Sequence, residues 1–171
     1  MKSPIVEPSK REHCYIQARN FYHAAVRCGR VEENEESGMN QNLVIPECVN
    51  IVFSCELFLK VLLYKDDEII REHNLLKLYK TLDDTIRDKI VNIIGIDESS
   101  FIGMLEEYGD FFKDIRYQFD YKRFKEGLTL PLLFFYGLAK ALDQFVQETI
   151  NIKPYSSTSV DLFNLEDEVI L

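Results

Sequence analysis

The sequence predicts an all-α protein, an antiparallel bundle of four to five helices. Three observations lead there. Apolar residues recur at three- and four-residue steps through most of the chain, the spacing that lines one face of a helix. Only 7 Gly and 5 Pro interrupt it, too few for the turns that many short strands would need. Hydrophobic residues make up 46% of the 171, enough for one core of domain size.

The first helix runs from Ser9, a suitable N-cap, through Cys14, Tyr15, Ala18, Phe21, Tyr22, Ala25 and Cys28, and stops at Gly29. Residues 30–42 are polar and acidic without apolar periodicity and read as a loop. Pro46 suits a first helical position and opens a run to about Lys65. That run is apolar nearly all round, which marks it as the most buried helix. A third helix begins near His73-Asn74 and carries Leu75, Leu78, Tyr79 and Leu82. It breaks at Asp83-Asp84, which cap a further helix ended by Gly95. Asp97 caps the next segment, whose helical spacing continues from Phe101 to Phe119. A last helix starts beside Pro131 and carries a polar stripe of Lys140, Asp143, Gln144, Gln147 and Glu148. The bundle is expected to span residues 1–153. Residues 154–171 form an acidic and apolar tail, either disordered or a docking segment through Leu162, Phe163, Leu165, Val169 and Ile170.

Charge and composition narrow the function classes. The net charge of −9 disfavours binding nucleic acid over an extended surface, though it leaves room for a local basic pocket. Cys14, Cys28, Cys48 and Cys55 form no C-x-x-C pair, and the 3 His are scattered, so no metal or cofactor is implied. Free thiols are the expectation. The N-terminal residues lack the apolar stretch of a signal peptide, and the run Leu130–Ala139 is too short to span a membrane. A cytoplasmic protein without membrane attachment follows as the expectation. No phosphate-binding glycine loop, nucleophile elbow or H-E-x-x-H motif occurs.

Four places could carry chemistry. Glu56 and Lys60 lie nine and thirteen residues after Glu47, so at ~100° per residue they fall opposite the polar edge formed by Glu47, Asn50 and Ser54. They are a favourable i,i+4 pair on an apolar face, serving either a helix or subunit interface or a ligand. In IRYQFDYKRF (115–124), Arg116 and Asp120 are four apart beside Tyr117 and Tyr121. An arginine with neighbouring tyrosines can clamp a phosphate and stack a base, and the same set also reads as an exposed ion pair beside core tyrosines. His73 and Asn74 stand where a helix cap is expected, and His73 is a catalytic candidate only beside a placed substrate. RNFYH, in which Arg19 and His23 share a helical face, loosely resembles a ribonuclease motif, and we read it as an incidental surface pair.

Three of these segments together resemble the HEPN family. NIVFSCELFLKVLLY (50–64), EHNLLKLYKTL (72–82) and IRYQFDY (115–121) are similar to its core in order and spacing, over roughly residues 9–152. The resemblance implies a four- or five-helix bundle that forms a homodimer with its functional cleft at the dimer interface. Many members are metal-independent endoribonucleases of toxin–antitoxin, phage-defence or RNA-processing systems. Others bind RNA or nucleotides without cleaving, or partner a nucleotidyltransferase. In catalytic members an arginine holds the scissile phosphate, and a histidine separated from it by four to six residues assists the 2′-hydroxyl. Arg116 falls where that arginine is expected, but Tyr121 and Lys122 stand five and six residues on, and no histidine follows anywhere. The expectation is therefore a non-catalytic domain that binds RNA, a nucleotide or a protein through Glu56, Lys60, His73, Asn74, Arg116, Tyr117, Asp120 and Tyr121. The alternatives are a divergent endoribonuclease using Arg116 with His73 or a tyrosine, and an adaptor docking through its tail.

Overall fold

The computed structural model describes residues 9–30, 32–33, 40–41, 43–65, 70–110 and 131–150. Six helices occur among them: α1 (Lys10–Cys28), α2 (Val44–Leu63), α3 (Leu75–Thr81), α4 (Asp84–Ile94), α5 (Glu98–Tyr108) and α6 (Leu132–Ile150). Their termini follow from local chemistry. Ser9 and Glu12 close a reciprocal capping box on α1, with Glu12 Oε2 accepting from Ser9 N at 2.6 Å. Asn74 and Asp97 accept from backbone N–H groups of the first turns of α3 and α5. Gly95 ends α4 at φ 76°, in the left-handed region where glycine meets no steric penalty.

α2 is buried on nearly every side, from Cys48 and Ile51 to Phe58, Leu59 and Val61. It pairs with α1 as an antiparallel hairpin. Arg11 Nε reaches Val61 O at 2.9 Å, Cys14 Sγ reaches Leu57 O at 3.5 Å, and Ser54 Oγ donates to Ala18 O at 2.8 Å. α6 lies against both and runs opposite to α1, as Tyr15 meets Asp143 and Tyr22 meets Tyr136. The short helices α3, α4 and α5 close the remaining sides. Tyr79 of α3 packs edge-on against Phe101 of α5 at 4.8 Å, and Phe101 meets Phe134 of α6 at 5.6 Å. The buried side chains form one cluster drawn from all six helices.

The structure departs from the sequence reading in five places. The bundle has six described helices rather than four or five. α2 begins two residues before Pro46, which therefore sits inside the first turn. Amides there have no intrahelical acceptor, so a missing N–H costs nothing. Within 30–42, Glu32–Glu33 pair with Asn40–Gln41 as a minimal antiparallel ladder instead of a featureless loop. Glu47 and Ser54 are buried, so the supposed polar edge of α2 faces other helices. Asp143, read as one residue of the polar stripe, is buried as well, while Lys140, Gln144, Gln147 and Glu148 are exposed. α5 ends at Tyr108, and the expected continuation through 111–119 lies outside the described residues, as does the tail. Among the described residues no helix is long and apolar enough to cross a membrane.

Because α2 is surrounded, truncating its centre should be severe. Ile51→Ala is expected to cost about 2–5 kcal/mol in urea unfolding, whereas Leu133→Ala, on the exposed start of α6, should stay within about 0.5 kcal/mol.

Candidate functional site

Glu56 lies deep in α2, 1% exposed, and its carboxylate gathers two neighbours. Oε1 accepts from Lys60 Nζ at 2.8 Å and lies 2.9 Å from His73 Nδ1. An ionised carboxylate only accepts, so Nδ1 is the donor in that contact. The exposures are graded outward: Lys60 has 12% of its side chain accessible and His73 has 56%. A buried anion thus fixes one cation near the surface and one imidazole at it.

His73 is held there by its own backbone. Glu72 Oε1 accepts from the N–H groups of both His73 and Asn74, each at 2.9 Å. Those two bonds hold the Glu72 carboxyl below the usual carboxylate range. Asn74 Oδ1 caps α3 by accepting from Lys77 N at 2.9 Å, and Leu75 N donates to Gly109 O at 3.1 Å. On the α1 side, burial pushes the Cys14 thiol up to about 11, with Lys60 and Glu56 acting in opposite directions. The thiol is therefore protonated packing material against the ion pair.

Of the residues singled out in sequence, the structure brings Glu56, Lys60 and His73 together. Asn74 adjoins them, with its side-chain oxygen committed to the cap. Arg116, Tyr117, Asp120 and Tyr121 lie outside the described residues, as does the docking tail. Among the described residues no group of His, Cys, Asp or Glu is placed to hold a metal ion.

Two further buried carboxylates escaped the sequence reading. Asp143 accepts from Tyr15 Oη at 2.7 Å and Gln147 Nε2 at 3.0 Å, and Arg19 Nε lies 4.0 Å from it. Arg19 is thus largely buried between α1 and α6, which overturns its reading as an incidental surface residue. Glu47 accepts from Tyr136 Oη at 2.9 Å. Burial and the adjacent carboxylates push both phenols well above the ordinary tyrosine value. Spacing along a helix places these residues on faces, but it does not say which neighbour each face meets. Comparison with protein-family models, curated proteins and solved structures finds no match for this chain.

Breaking the Glu56 cluster should show its coupling to the fold. Glu56→Ala leaves Lys60 without its buried partner and is expected to cost about 3 kcal/mol. Glu56→Gln, which keeps an acceptor oxygen, should cost clearly less in the same urea titration. The two clasped phenols predict an alkaline limit. Their folded values lie above the unfolded value of about 10, so their contribution is complete below that pH and falls as pH rises through it. The urea midpoint should decline above about pH 10, and the decline should be shallower in Tyr15→Phe.

Proposed function

We propose that this chain is a HEPN-like helical domain that binds RNA or a nucleotide without cutting it, at the end of the bundle where Glu56 holds Lys60 and His73. The observation that carries this reading is the cluster itself. A carboxylate 1% exposed is expensive to bury, and here it serves to fix a lysine and an exposed imidazole at one surface point. Perturbed or costly charge clusters of this kind are where sites tend to be found. The similarity of segments 50–64, 72–82 and 115–121 to that family supplies the ligand class. The net charge of −9 supports a compact contact with one or a few phosphates over an extended track. The absence of any histidine after Arg116 supports binding without cleavage. By the same resemblance we propose a homodimer with this end at the interface.

One observation favours a second reading, a divergent metal-independent endoribonuclease. With Nδ1 engaged by a buried carboxylate, His73 has the orientation and tautomer a general base uses, as in other carboxylate-held imidazoles. Arg116 would supply the phosphate contact.

Both readings are tested by titrating labelled mixed RNA in chelator with wild type, His73→Ala and Arg116→Ala. Binding by wild type without new fragments, weakened about tenfold (about 1.4 kcal/mol) in the variants, is the expected result. Fragments that disappear in either variant would move the second reading to the front. RNA and nucleotides that fail to bind wild type at all would end both.

A further inference from the structure

The three histidines of the chain sit in different surroundings. His13 is exposed on α1, and His23 is half-buried with its ring 5.7 Å from that of Tyr22. His73 is held at two points, its backbone N–H by Glu72 Oε1 and its Nδ1 by Glu56 Oε1, each at 2.9 Å. Glu56 is 1% exposed, while the His73 side chain is 56% accessible. A buried carboxylate therefore grips one edge of the ring, and the other edge stays open. Among the described residues no hydrogen bond engages Nε2.

That placement suits an imidazole nucleophile. With Nδ1 donating, the lone pair of the neutral ring lies on Nε2. Histidine forms covalent intermediates, and a partner that orients the ring activates it. A substituent gained at Nε2 leaves the proton on Nδ1 and a positive charge on the ring, and an anion bonded to Nδ1 favours that product. Glu56 supplies the anion in place. Lys60 occupies the same oxygen at 2.8 Å and is committed there, so it is assigned no contact with the incoming group. Base catalysis would further require a substrate held beside His73, whereas group transfer to it requires only an oriented, accessible nitrogen. A phosphoryl group fits this exposed position because its charged oxygens remain in water.

We propose that His73 is a modification site, phosphorylated at Nε2 by a donor of the phosphoramidate class. The Nε2 lone pair forms the new N–P bond as the P–N bond of the zwitterionic donor breaks, and that electron pair leaves with the nitrogen as ammonia. The ring keeps its Nδ1 proton, and its new positive charge faces the Glu56 carboxylate at the other end of the hydrogen bond. Glu56 is in this step a positioning residue. The inference stands on the Glu56–His73 geometry and needs neither RNA nor a nucleotide, so it holds or fails separately from the reading above.

The test incubates the full chain with potassium phosphoramidate at neutral pH and follows each histidine by mass spectrometry under alkaline conditions, in which phosphohistidine persists. Trypsin cuts after Arg11, Arg19, Arg27 and Arg71, so His13, His23 and His73 fall in separate peptides and serve as one another's controls. In wild type His73 should gain the phosphoryl group at least about tenfold faster than His13 or His23, and phosphorus NMR should assign it to Nε2. Glu56→Gln should slow labelling of His73 about tenfold while leaving His13 unchanged. A mere loss of stability would not give that split, because loosening the bundle exposes His73 further. Equal labelling of the three histidines, labelling of His73 at Nδ1, or no labelling of His73 overturns the inference. Labelling of His73 that is as fast or faster in Glu56→Gln overturns the part assigned to the carboxylate.

Discussion

A helix that is apolar on nearly every side has no face to give to water, and α2 is such a helix. Three of the described helices cover it: α1 runs antiparallel along one side, α6 crosses another and α3 takes a third, while α4 packs on α6 and α5 on α3 and α4. Covering α2 also removes water from the few polar groups it carries, and each of these must then find a partner inside the protein. Ser54 turns to the carbonyl of Ala18, Glu47 to the phenol of Tyr136, and Glu56 to Lys60 and His73. The candidate site is in this sense a product of the core. The anion that positions His73 is costly where it sits, and it persists because two donors answer it.

The same logic gives the bundle its internal addresses. Apolar contacts tolerate sliding and substitution, whereas a buried carboxylate accepts only a narrow set of neighbours. Asp143 fixes α6 against α1 through Tyr15, and Glu47 fixes α6 against α2 through Tyr136. These two clasps set the register of three long helices. Not every buried polar atom is answered: the hydroxyl of Tyr79, at the meeting of α3, α4 and α5, has no hydrogen-bond partner among the described residues. The short helices are joined by ring packing, as in the edge-on contacts from Tyr79 through Phe101 to Phe134, and by the Leu75 N–H that donates to Gly109 O.

Much of the architecture was legible in the sequence because helix ends are written locally. Ser9, Asn74, Asp97 and Gly95 each mark a boundary by chemistry within one turn, and each boundary falls where that chemistry puts it. The Glu56–Lys60 pair was legible for the same reason, being four residues apart on one helix. What the sequence hid is relational. Asp143 belongs by spacing to a stripe with Lys140 and Gln144, and only the approach of Tyr15, 128 positions away, makes it interior. Glu47 and Ser54 form a polar edge on paper and lie between helices in space. His73 is a half-step case: its place before a helix was readable, while its contact with Glu56 depends on how the chain returns from α2.

One close approach carries a further consequence for how this chain can vary. The carboxylate of Glu47 lies directly over Gly29, where an added Cβ would come within 2.6 Å of Oε1. The two positions stand on different helices, yet they share one volume. A larger residue at 29 therefore makes the Glu47 carboxylate swing aside or give way to a shorter side chain, and either movement draws the acceptor away from the phenol of Tyr136. A change at the end of α1 is thus felt on α6, through a side chain of α2 that touches both.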